Sequence, residues 1–157
     1  MNIFILDLNH ETNASFHCDR HVVKMILEQN QLLTTAHHMT GTNPKIIPYK
    51  KAFYNHPCAK WTRDSLSNYN WLIKLTEELI KEYEYRYGKV HKCTGVLEWC
   101  KDTKPNIIDI GQTPVVQAMP NKYRSNNIVE AYRDYFNTEK RHLFSWKKRP
   151  VPYWVKI

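Results

Sequence analysis

The sequence predicts an all-α protein, a single compact helical domain over residues 1–157 with a short extended arm at its N-terminus. Three observations carry that prediction. Only four of the 157 residues are glycine, too few for a turn-rich β protein. Long stretches repeat their apolar residues at helical spacing. The composition, 42% hydrophobic and 24% charged, is that of a globular chain long enough to bury a core without staples.

Ile3-Phe4-Ile5-Leu6 is a short apolar run, read as a buried strand or extended arm. Asn9 is placed to cap a short helix through Ala14 and Phe16. A long helix follows over about residues 19–39, with Asp19 as its N-cap and Gly41 as its stop. Residues 42–56 form a loop with Pro44 and Pro48, in which Tyr49, Phe53 and Tyr54 interleave with Lys45, Lys50 and Lys51. Such a mixture suits stacking on bases and pairing with phosphates, or pinning of the loop to the core by its rings.

Asn55-His56-Pro57 starts a helix over 57–67, with Pro57 at the first helical position. Ser67 or Asn68 caps a longer one over 69–87. Tyr69, Leu72, Ile73, Leu75, Leu79, Ile80 and Tyr83 give its repeat, Glu77 and Lys81 an exposed pair, and Gly88 its end. Residues 89–101 read as helix despite Gly95. Residues 102–121 are irregular, broken by Pro105, Gly111, Pro114 and Pro120, with Ile107, Ile108, Ile110, Val115 and Val116 expected to pack down. Asn126 or Asn127 caps a last helix over 128–146, open to a break near Asn137, with Ile128, Ala131, Tyr132, Tyr135 and Phe136 facing inward. A basic, proline-stiffened aromatic tail, Lys147 to Trp154, closes the chain.

The formal net charge is +8, which points to a polyanionic partner such as nucleic acid. The charge is uneven: residues 119–157 hold nine Lys and Arg against three Asp and Glu. No apolar run is long enough to span a bilayer, so no membrane partner is expected. The first residues lack the basic start of a signal peptide, so the chain is expected to be cytoplasmic. Four scattered cysteines are then expected to remain thiols. The chain is expected to act as a monomer and to need no cofactor.

The helix from Asp19 organises the sequence. His21, Lys24, Glu28, Gln31 and Thr35 share an arc of roughly 80°. Val22, Met25, Ile26, Leu27, Leu32 and Leu33 surround it. A surface helix normally shows the reverse, one apolar stripe and a wide polar face. Burying charge without a partner is costly, so the stripe needs a reason. One reason is a structural Lys24–Glu28 pair. The other is a pocket, where acids and bases gather.

Other chemistries have weaker support. His17, Cys18 and His21, the pair His37-His38, His56 with Cys58, and His91 with Cys93 come near metal-ligand spacing, but no second matching knuckle exists, so no metal is expected. Neither a Cys–His nucleophile signature nor a glycine-rich phosphate loop occurs. A carboxylate pocket on a basic helical chain fits cleavage of an N-glycosidic bond better. One carboxylate stabilises the sugar cation, an amine captures C1′ as a Schiff base, and aromatic and basic side chains hold a base out of its stack.

Asp19-Arg20-His21, followed after seven residues by Glu28, resembles the start of the endonuclease V type of phage pyrimidine-dimer DNA glycosylases, small basic all-α proteins. The likeness extends in scattered pieces to His56 with the helices after it, and to the Arg149-Pro150 and Tyr153-Trp154 end. His21-Val22-Val23-Lys24-Met25 with Asn55-His56-Pro57 also resembles small phage-encoded proteins. The resemblance implies DNA as partner, in a host cell if the chain is phage-encoded. It implies Glu28 as catalytic carboxylate and His21 as its neighbour.

That family uses the α-amine of residue 2 after Met1 is removed; α-amines titrate near pH 7.7–8.0, about two units below lysine. Here residue 2 is Asn2, bulkier than the residues that permit this removal. The family's arginines beside the glutamate fall on Leu27 and Gln31. The nucleophile is therefore open between the N-terminal amine, as at Asn2, and Lys24, with water activated by Glu28 as the third choice. Phosphate contacts are expected from Arg20, Lys50, Lys51, Arg141, Lys147, Lys148 and Arg149. The expectation is a DNA glycosylase, with or without lyase activity, acting on a damaged or modified base. The alternatives are a non-catalytic nucleic-acid-binding phage protein and a base- or nucleotide-modifying transferase.

Overall fold

The computed structural model describes residues 1–157. It is all-α, with six α-helices and no strand: α1 (His10–Phe16), α2 (Asp19–Met39), α3 (Pro57–Asp64), α4 (Leu66–Tyr87), α5 (Thr94–Asp102) and α6 (Ile128–Glu139). Two 3-10 turns, Asn121–Tyr123 and Arg141–Leu143, flank α6.

Local chemistry explains most of the boundaries. Asn9 Oδ1 accepts from Thr12 N–H to start α1. Asn127 accepts from Glu130 N–H to start α6. His56 accepts from Cys58 N–H, with Pro57 behind it, to start α3. Gly88 adopts φ 66° and ends α4 in a left-handed turn that disfavours any side chain.

Four expectations are corrected. Asp19 is the first residue of α2 and not its cap, because its carboxylate is drawn to Arg86 and Lys147. α4 begins at Leu66, since Asp109 reaches over from the 102–121 segment and accepts from Ser67 N–H and from the Ser65 and Ser67 hydroxyls. α6 stops at Glu139 instead of running to 146. Lys81 pairs with Glu78, while Glu77 pairs with Lys101 of α5.

α2 lies at the centre, packed on α3, α4 and α5. It is buried on most sides, which accounts for its near-continuous apolar surface. The N-terminal arm is extended and not a strand. Ile3, Phe4, Ile5 and Leu6 are all buried in one cluster with Val22, Ile26, Leu72, Tyr132 and Phe136. Fully burying such side chains contributes about 1.5–3 kcal/mol each.

With no neighbouring strand, the arm's backbone is satisfied by side chains. Asn13 accepts from Leu6 N–H and donates to Phe4 O, and Arg133 donates to Leu6 O. The 102–121 segment is irregular and packs only in part: Ile107 is buried, but Ile108 and Ile110 are 81% and 67% exposed.

A buried ion cluster ties the chain's end to its middle. Arg86 is fully buried. It donates to Glu82 at 2.7 Å, to Asp19 at 3.0 Å and to Ser15 O at 2.9 Å. Arg149 grips the same Glu82 with two hydrogen bonds of 2.8 and 3.1 Å, and Lys147 N–H donates to Asp19. Breaking a buried pair leaves an uncompensated charge and costs about 3–5 kcal/mol. Arg86→Met is therefore expected to lower the unfolding free energy by about that much in urea titrations. Arg86→Lys should not restore it, because a point charge cannot fill the forked contacts. A change below about 1 kcal/mol would contradict this role.

His17 and His37 are buried and pushed down to about 4, chiefly by loss of water. Their folded values lie below the unfolded value of 6.5, so the unfolded chain takes up protons first as pH falls. Stability should be complete above pH 6.5 and decline toward pH 4, by roughly 1.4 kcal/mol per pH unit for each histidine. Urea midpoints at pH 7.5, 6 and 5 measure this, and a flat profile would contradict it.

Candidate active site

Glu28 stands in the middle of α2 with its side chain 11% exposed. The arm runs beside it because Phe4, at position 4, is locked against His21 and Phe136 at ring distances of 4.7 and 4.8 Å. That placement brings the Met1 ammonium to 2.9 Å from Glu28 Oε1. Glu28 Oε2 is buried with no hydrogen-bond partner. The expected structural pair is thus replaced: Glu28 is held by the N-terminal ammonium and not by Lys24.

Asn2 fixes the amine's position without lending its own side chain to the site. Its Nδ2 donates to Ala118 O at 2.8 Å, and its Oδ1 accepts from Ile3 N–H at 2.7 Å. The Tyr132 hydroxyl lies 3.0 Å from the same oxygen. Asn2 is therefore the tether for the Met1 ammonium that lies beside Glu28.

The pair borders a cavity of about 290 Å³, walled by Met1, Asn2, Phe4, His21, Lys24, Met25, Glu28, Ala118, Tyr135 and Lys140. The size is at the lower end for ligand pockets. Lys24 is exposed at its edge, one helical turn before Glu28. Lys140, the residue that ends α6, stands opposite with its ammonium 5.3 Å from the Tyr135 ring. Two lysines and the Met1 ammonium therefore line the cavity together with one carboxylate.

His21 is pushed down to about 3, first by burial and then by the positive charge of His17, Lys140, Lys24 and Arg20. At neutral pH it is an uncharged ring packed at a tilt against Phe4, its Nδ1 buried without a partner. His56 is lowered by burial and by the Met1 ammonium, against the opposing pull of Glu28, which puts it within electrostatic reach of the pair. Burial pushes the Cys58 thiol up to about 11, so it stays protonated; its sulfur is 4.0 Å from Asn2 Oδ1. No group of three His, Cys, Asp or Glu side chains is arranged to hold a metal.

The four residues expected to do chemistry, Asn2, His21, Lys24 and Glu28, are thus brought together. Those expected to bind nucleic acid are dispersed. Arg149 is engaged by Glu82, Lys148 donates to Tyr85 O, and Lys147 lies 5.2 Å over the Tyr87 ring. Arg141 donates to Lys156 O near the chain end. Arg20, Lys50 and Lys51 are exposed. Lys140 and Ala118 were not singled out from sequence, and Tyr135 was expected only as an inward-facing residue of the last helix. They sit 90 or more residues from Glu28 in the chain, and no local pattern marks them.

No helix is long and apolar enough to cross a membrane. No curated protein and no solved structure matches the chain. A family model described as pyrimidine dimer DNA glycosylase matches residues 1–94. That stretch holds Met1, His21, Lys24, Glu28 and His56, while Lys140 and Tyr135 lie beyond it. Because the match spans more than half of the chain and includes the amine–carboxylate pair, the chain belongs to the pyrimidine dimer DNA glycosylase family.

Proposed function

We propose that this protein is a DNA glycosylase with an associated lyase step, acting on a damaged or modified base through the Met1 amine and Glu28. The observation that carries this reading is the 2.9 Å contact between the two groups at the edge of an open cavity. Membership of the family supports DNA as the substrate.

The amine attacks as a free base, so its ammonium must first release a proton. Glu28 Oε1 is the acceptor in reach. The nitrogen then adds to C1′ of the target nucleotide while the C1′–N bond breaks; the base departs with the electron pair and takes up the proton held by Glu28, which is a carboxylate again. The added nitrogen, now a secondary ammonium, gives up a proton; its lone pair then forms the protonated imine as the C1′–O4′ bond opens, and O4′ takes that proton. Loss of a C2′ proton and departure of the 3′ phosphate complete strand cleavage. Glu28 also faces the positive charge that develops at C1′, and its unpartnered Oε2 is free for that task.

His21, neutral and wedged against Phe4, holds the arm in line with α2 and so positions the amine. Lys24 and Lys140 set a positive rim that suits a nucleotide flanked by phosphates. Lys24, exposed and about one turn away, serves as clamp and not as nucleophile.

The test is Glu28→Gln, read on a duplex carrying a cyclobutane pyrimidine dimer. Single-turnover incision should fall by about 10³-fold, while affinity for the duplex stays within a few-fold. Circular dichroism and a urea midpoint check that the variant still folds without its buried ion pair. An unchanged incision rate in the folded variant would refute the reading.

A further inference from the structure

The loop between α2 and α3 contains one residue whose conformation works against folding. Phe53 has φ 48°, in the left-handed region. A non-glycine residue there costs about 1–2 kcal/mol, and turns that need this conformation normally take glycine or asparagine. Phe53 gains nothing in return from the core, for its side chain is 66% exposed. An aromatic ring held in strain and left in water is a feature to be explained by what it meets outside the chain.

The loop is firmly held, so the exposure is not a matter of looseness. Ala52 N–H donates to Thr35 Oγ1, and that hydroxyl is 3.1 Å from Ala52 O. His38 Nε2 is 2.7 Å from Tyr49 O, the Tyr49 hydroxyl donates to Cys93 Sγ, and His56 N–H donates to Phe53 O. Thr35 and Glu28 are seven residues apart on α2, which puts them within about 20° of one face and about 10.5 Å apart along the axis. Ala52 is thus anchored on the side of α2 that carries Glu28. On the other flank of Phe53, three residues on, His56 is within electrostatic reach of the Met1 ammonium and Glu28.

The surroundings have the chemistry of a nucleic-acid contact. Lys50 and Lys51 are exposed immediately before Phe53, and Tyr54 after it is 41% exposed under the Lys51 ammonium at 4.6 Å. Cations for phosphates beside rings for bases are what such a strand requires.

We propose that Phe53 is a wedge that enters the base stack beside the target nucleotide and keeps the gap open while that nucleotide occupies the Glu28 cavity, with Lys50 and Lys51 holding the adjacent phosphates. This rests on the glycosylase reading above. Opening a stacked step costs a few kcal/mol, and an aromatic face against the exposed base offsets part of it. The strain at Phe53 sets the ring in place before DNA arrives, so no ordering is needed on binding.

The experiment compares wild type, Phe53→Gly and Phe53→Trp on a dimer-containing duplex with 2-aminopurine next to the lesion. Phe53→Gly should melt no lower than wild type, since glycine accepts the left-handed turn. It should nevertheless lose the rise in 2-aminopurine emission on binding and incise about 5- to 100-fold more slowly. The salt dependence of its affinity should be unchanged, because the lysines remain. Phe53→Trp should keep both signals. Wild-type incision with equal rate and equal emission in Phe53→Gly overturns the wedge and leaves the glycosylase reading intact. If wild type does not incise the duplex, that reading is what fails. The wedge is then judged by emission alone, supported if the rise is lost in Phe53→Gly and overturned if it persists or never occurs.

Discussion

A buried ammonium and a buried carboxylate hold one another 2.9 Å apart, and most of the molecule can be understood as the means of keeping them there. Neither charge tolerates this environment alone, since an unpaired buried ion costs several kcal/mol. The apolar arm supplies the compensation. Ile3 to Leu6 are sunk in the core, and their peptide groups are bonded by Asn13 and Arg133. Asn2 removes the remaining freedom by binding Ala118 O. The amine is placed by packing that begins two residues away, at Ile3.

The distribution of positive charge follows a different logic from its sum. Only part of the C-terminal surplus is paired within the protein, and Arg141, Lys147 and Lys148 stay exposed. Arg149 clamps the tail to Glu82, the Lys147 backbone N–H donates to Asp19, and Arg133 sits among Phe16, Tyr153 and Trp154 while it pairs with Asp7. The Arg149–Glu82 pair fixes the tail over α4. The cations left near the cavity are Lys24 and Lys140, with Lys50 and Lys51 on the neighbouring loop.

The helices were legible in the sequence wherever a local rule governed them. Asn9, Asn127, Pro57 and Gly88 mark ends by side-chain chemistry that acts within four residues. The polar line on α2 was legible for the same reason, because helical spacing alone puts His21, Lys24 and Glu28 together. The errors arose where a distant residue intervened. Asp109 starts α4 from 44 residues away in the chain, Arg86 takes Asp19 from its capping role, and Met1 takes Glu28 from Lys24. Lys140 and Tyr135 reach the cavity only through the docking of α6, which no spacing rule encodes. Phe53 was legible as an aromatic among lysines; its strained backbone was not.

The central claim is that the amine of residue 1, and not a lysine, bonds to the sugar. Borohydride reduction during reaction with an abasic duplex, followed by proteolysis and mass spectrometry of the cross-linked peptide, tests it most directly. A covalent adduct is expected on the N-terminal peptide at the α-nitrogen of Met1. An adduct on Lys24, or none at all from a protein that still incises, would contradict it.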